Sequence, residues 1–170
     1  MGKQDLNIGI ITESDPDDKR SWSGIYYRMN SALKDEFSTV INLGPVKLSK
    51  LNYYMMRLQL KVCDKFHKYV LKKKFNIAHN HIKSKYHSNF FDKVIQQNKI
   101  DVLFAPTASI EIAHLKTNIP ICYFSDATIS TIIDYYDSFS GFSKKSLKIS
   151  NEIEQKAINK STTHVFQSQW

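Results

Sequence analysis

Asp126 is the residue whose type and place best suit it to chemistry. It follows the apolar run 121–124 and precedes Thr128, where a strand gives way to a helix. A carboxylate there can face a reacting hydroxyl. Aspartate is also a preferred helix N-cap, and bonds to the amides of 127–129 account for it equally well. Ser125 beside it offers a hydroxyl to a ligand. Thr107, Ala108 and Ser109 form a second small-residue turn, after the strand-like run 102–105. Small side chains let a ligand approach amides and hydroxyls, while helix capping by Thr107 or Ser109 is the competing use. Ser23 and Gly24 make a third such point. A glycine opening a helix lets a phosphate reach backbone N–H groups, and the helix dipole favours that anion. The same pair also reads as an N-cap serine and a glycine that relieves a tight turn. The link from Thr12 to Gly24 exceeds the ~2–6 residues usual between strand and helix, which favours a functional loop.

Other groups carry less. Glu13, Asp15, Asp17 and Asp18 crowd the same loop, but lack the glycine and distal glutamate of a calcium loop, so they read as solvated. His79 and His81 lie two apart, with His87 further on. No Cys pair or Glu completes a metal set at suitable spacing. In a strand, the first two would face one side and line a cleft; as ordinary half-buried histidines they need no function. Trp22, Tyr135 and Tyr136 could stack on a sugar ring or fill core.

These residues need a frame. The chain has 170 residues, enough for one domain with its own core, and carries a net charge of +8. That charge points to an anionic partner, whether nucleotide, phospholipid or nucleic acid, or serves solubility. Two cysteines, Cys63 and Cys122, are too few for a disulfide framework and fit a reducing compartment. Cys122, inside an apolar run, reads as core. The start of the sequence shows no apolar leader, and no run is long enough to cross a bilayer.

The pattern predicts strands at 6–12, 37–45, 102–105, 119–124 and 164–167. Helices are predicted from Gly24 through Leu33, over 51–74, 88–99, about 128–136 and 147–160, with 75–87 either strand or loop. Alternating strands and helices imply a doubly wound α/β fold: a Rossmann-like parallel sheet flanked by helices. Ligands of such sheets bind outside the carboxyl ends of the strands, where the three turns fall. The helix at 51–74 has two stripes. Leu51, Met55, Leu58, Val62, Phe66 and Tyr69 make an apolar face; Arg57, Lys61, Lys65, Lys68 and Lys72 make a basic one. The apolar face is expected to pack on the sheet, with lysines in water. Peripheral contact with an anionic membrane is the alternative use of the pattern.

The ordered set Ser23-Gly24, DVLFAPTAS, IPICYFSDAT, an acidic helix with Glu152 and Glu154, and VFQSQW resembles the amino-terminal domain of group 1 retaining glycosyltransferases of the two-domain GT-B fold. Residues 101–170 carry most of the resemblance, 7–43 match more loosely, and 45–99 hardly at all. The resemblance implies transfer of a sugar from a nucleotide sugar to an acceptor hydroxyl, with retention of configuration and no metal or other cofactor. It makes this chain the acceptor-side half, inactive alone, with donor binding in a second domain expected to follow Trp170. It places Asp126 toward the reacting sugar, with Ser125 where the family often has histidine. Ser23 and Gly24 approach the donor diphosphate, and Thr107 and Ser109 line the acceptor side. A sugar, lipid or protein is the implied acceptor, with a cytoplasmic location. Two other readings remain: a Rossmann-type nucleotide-binding domain, against which the missing GxGxxG counts, and a basic nucleic-acid module, for which an aromatic platform is lacking, so no nucleic-acid partner is expected.

Overall fold

The computed structural model describes residues 3–167. Ser168, Gln169 and Trp170, the end of the VFQSQW run, lie outside the described residues. Five strands run in chain order β1 (Gln4–Ile10), β2 (Phe37–Asn42), β3 (Val102–Pro106), β4 (Ile121–Ser125) and β5 (Thr163–Phe166). They form one sheet in the order β2-β1-β3-β4-β5, and every pairing is parallel. All carboxyl ends therefore open on one rim, as the doubly wound reading requires. Chain order reverses direction at β1, whose neighbours are β2 and β3. The crevice at that switch is where such sheets bind ligands.

The helices are α1 (Ile25–Glu36), α2 (Lys50–Tyr69), α3 (His81–Gln96), the single turns α4 (Ser109–Ile112) and α5 (Ile129–Ile132), and α6 (Lys144–Lys160). Side-chain caps start three of them. Ser49 accepts from Asn52 N–H, Asn80 from Lys83 N–H, and Ser143 from Ser146 N–H. These caps explain two differences from the expected boundaries. Residues 75–87 are no strand: Asn80 starts α3 seven residues before the predicted helix, and Ser143 starts α6 before Leu147. The helix expected over 128–136 is one turn, and Asp134 beyond it has φ of 59°.

Alternation along the strands feeds one face of the sheet into the main core. Ile11, Leu103, Ala105, Ile121 and Tyr123 pack there with Phe91 and Ile95 of α3, Ile112 of α4 and Ala157 of α6. On the other face α1 lies against β1 and β2. Val102, Phe104, Cys122 and Phe124 on that face are only half-buried. Cys122 is thus no fully enclosed core residue, although burial still pushes its thiol pKa up. Both cysteines are free.

Helix α2 overturns one expectation. It buries Met56, Leu60 and His67, which pack with Cys63, Leu48, Phe75, Ile82 and Tyr86 in a small second core. Its neighbour is α3 rather than the sheet. The predicted stripe Leu51, Met55, Leu58, Val62, Phe66 and Tyr69 is exposed along its length. Two apolar stripes at helical spacing exist on α2, and the shorter one is inside. No described helix is long and apolar enough to cross a membrane.

Candidate functional site

The loop after β1 is held from below. Gly44, after β2, runs so close to Thr12 that an added Cβ would lie 2.3 Å from the Thr12 carbonyl oxygen. Asp17 anchors the loop to its neighbours. Its carboxylate accepts from Asn30 (2.7 Å), Lys34 (3.1 Å) and Asn42 (2.8 Å). Arg20 grips Asp18 through Nε and a terminal nitrogen, which lowers that carboxyl's pKa. The acidic run is therefore neither merely solvated nor a metal cage. Among the described residues no cluster of His, Cys, Asp and Glu is disposed to hold a metal.

The loop ends in strain. Trp22, Ser23 and Gly24 have φ of 45°, 54° and 82°, the left-handed region that costs residues with a Cβ roughly 1–2 kcal/mol each. Gly24 is the residue preceding α1, and neither Ser23 nor another side chain caps that helix. The N-cap reading of Ser23 is thus replaced by a left-handed turn. Ser23 is exposed, and Trp22 lies 5.2 Å from Tyr26, ring to ring.

Across the switch the turn after β3 is strained too. Thr107 has φ of 48°, rare for a β-branched residue. Its amide donates to the Phe124 carbonyl at 2.7 Å, so that N–H belongs to the sheet. Its hydroxyl meets the Tyr26 phenol at 2.6 Å. One hydrogen bond thus joins the first turn of α1, directly after the strained Trp22–Gly24 run, to the strained turn across the β1/β3 crevice. Burial raises the Tyr26 pKa, and the charges of Glu111, Glu13 and Asp126 raise it further, against the lowering effect of the Thr107 bond. Two of these carboxylates are already engaged. Glu13 is paired with Lys83 (2.7 Å) and Glu111 with His87 (2.7 Å). Asp126 is exposed on the bend between β4 and α5; Thr128, not Asp126, takes the cap position of that turn.

Behind the rim lies a buried polar chain. Tyr123 donates to Glu154 at 2.6 Å. His79 Nε2 meets the Ser109 hydroxyl at 2.9 Å, and Glu154 is 3.8 Å from the same nitrogen. Desolvation pushes His79 down to about 4 and Glu154 up. Both directions make their contact one between a neutral imidazole and a carboxyl group, not an ion pair. The chain is no Ser-His-Glu triad, because Glu154 and Ser109 both lie at His79 Nε2, whereas a triad carboxylate would sit at Nδ1. Ser109 is buried in this network and caps nothing, since Ala108 precedes α4 without a side-chain bond. Ser125 is buried as well, and its hydroxyl donates to the Ala127 carbonyl at 2.8 Å. That proton is taken, which leaves Ser125 only its lone pairs for a ligand.

Of the residues singled out in the sequence, Ser23, Gly24, Thr107 and Asp126 gather on the crevice, while Ser109 and Ser125 lie behind it. His79 and His81 do not share a face. His79 joins the buried chain, and His81, the first residue of α3, bridges His114 (3.1 Å) and Glu152 of α6 (3.1 Å). Tyr135 and Tyr136 are exposed beyond α5. Tyr26 is the crevice residue the sequence did not reveal. Comparison of the chain with protein-family models, with curated proteins and with solved structures gave no match.

Proposed function

We propose that this chain is the acceptor-side domain of a retaining glycosyltransferase, the half of a GT-B enzyme that presents an acceptor hydroxyl to a nucleotide sugar. The observation that carries this reading is the crevice at the β1/β3 switch, where the Tyr26–Thr107 bond links the start of α1 to the strained turn after β3 and the exposed Asp126 lies on the same rim. Carboxylates and hydroxyls accept hydrogen bonds from sugar hydroxyls, and the Trp22–Tyr26 pair offers an apolar face to a ring. In this reading Asp126 orients the acceptor hydroxyl that attacks the anomeric carbon, on the face from which the diphosphate departs. Ser23 and Gly24 border the donor side, and a donor-binding domain or chain supplies the grip on the diphosphate. The work on this side is positioning. The acceptor is a sugar, lipid or protein hydroxyl. The free cysteines and the basic α2 support a cytoplasmic location with peripheral attachment to a membrane.

The test is a ¹⁵N-labelled chain titrated separately with methyl glycosides, UDP- and GDP-sugars, and NAD. Glycosides should shift the amides of Trp22 to Tyr26, Thr107 and Asp126, and Asp126→Asn should weaken that response about tenfold, the loss of one charge-assisted hydrogen bond. A rim that responds to NAD and ignores every glycoside would instead favour a Rossmann-type nucleotide-binding domain, and the acceptor reading would fall.

A further inference from the structure

We propose that α2 is a membrane-docking helix, lying in the headgroup region of an anionic phospholipid bilayer with its outer apolar stripe inserted and its lysines on the lipid phosphates. This deepens the peripheral attachment inferred above and does not depend on sugar transfer. The stripe is open to solvent: Leu51 is 71% exposed, Leu58 58%, Val62 60% and Tyr69 69%, whereas Met56 and Leu60 on the inner face are 8% exposed. At ~100° per residue the stripe lies roughly 130° around the helix from the buried face, so no element of this domain can cover both. Exposed stripes of this size mark interaction surfaces.

The charge selects the occupant. Residues 50–74 hold eight basic side chains and one acid, Asp64, of the 24 basic and 16 acidic residues in the chain. That leaves sixteen basic and fifteen acidic residues everywhere else. Nearly all the net charge of +8 thus sits on α2, whose outer apolar face is uncovered, and on the lysine-rich turn Lys72 to Lys74 that follows it. Lys61, Lys65 and Lys68 border the stripe on the helical wheel, where their methylene stems lie along apolar surface and their ammonium groups reach outward. A second copy docked face to face would set these positive rows against each other. A nucleic acid would answer the charge but not the aliphatic stripe. An anionic bilayer answers both. The face continues past Phe66 into an open groove of about 610 Å³ lined by Leu71, Phe142 and three more lysines, Lys73, Lys144 and Lys145.

The experiment is co-sedimentation of the full chain with phosphatidylcholine vesicles, with and without a third of phosphatidylglycerol. Binding is expected to the anionic vesicles alone, and to weaken with salt. Each lysine near the surface is worth about fivefold, so the triple change Lys61→Gln, Lys65→Gln, Lys68→Gln should cost about a hundredfold. Leu58→Ser with Val62→Ser, at exposed positions, should abolish binding while circular dichroism stays unchanged. Three results would each overturn the proposal: no binding to anionic vesicles, binding indifferent to the Leu58 and Val62 changes, or a lipid-free dimer broken by them. Because glycoside titration of the rim uses other residues, the two readings stand or fall separately.

Discussion

Tyr26 and Thr107 form the contact most open to single-residue tests. Removing the phenol oxygen leaves the Thr107 hydroxyl half-buried without its partner, and the turn it holds is already strained. Tyr26→Phe should therefore lower stability by about 1 kcal/mol, read from the urea midpoint; an unchanged midpoint would mean the bond adds nothing. His79 gives a pH prediction. An unfolded histidine titrates near 6.5 and folded His79 near 4, so between these values the unfolded chain binds more protons. Stability then falls as pH drops from about 6.5 toward 4, by on the order of 3 kcal/mol at most. Glu154 acts oppositely. Its raised pKa makes the buried carboxylate costly, and that cost is relieved as pH falls through the raised value. His79→Gln should flatten the acid limb in urea unfolding between pH 7 and 4; a variant with the wild-type slope would assign the acid loss elsewhere. Asp126, Thr107 and the Ser23–Gly24 pair could be placed from sequence, because each follows a strand or opens a helix. Tyr26 could not, since its role depends on α1 bringing it opposite a turn 81 residues away.

Helix α2 shows where local pattern stops informing. Leu51, Met55, Leu58, Val62 and Phe66 repeat at three and four, but so do Met56, Leu60, Cys63 and His67. Periodicity identifies a helix from either row and cannot say which faces protein. The choice was made by Phe75, Ile82 and Tyr86, which close a small core over the second row. Truncation separates the two rows. Leu60→Ala should cost about 2–5 kcal/mol, whereas Leu58→Ala should stay within about 0.5 kcal/mol. Equal losses in thermal or urea unfolding would put the first row back inside. The late start predicted for α3 has a similar cause. Asn80 followed by Ile82, Tyr86 and Phe90 is a cap and an apolar row, but His79, His81 and the lysines around them masked the signal. The inner strands β1, β3 and β4 were legible because buried parallel strands are short apolar runs bounded by turns, whereas the edge strands β2 and β5 have no buried residue.

Over the whole molecule, the parallel sheet and its rim follow from the alternation of strands with helices, while the division of the interior into two cores does not. The larger core joins the sheet to α3, α4 and α6; the smaller holds α2 to α3. Cooperative units within a fold open with separate free energies. The amide protons of α2 should exchange with deuterium well before those of β1, β3 and β4, in a burst that leaves the sheet protected; simultaneous exchange would mean one unit. A segment that lifts away while the remainder keeps its shape would give this protein a hinge-like independence, so that a partner gripping the arm need not distort the hand.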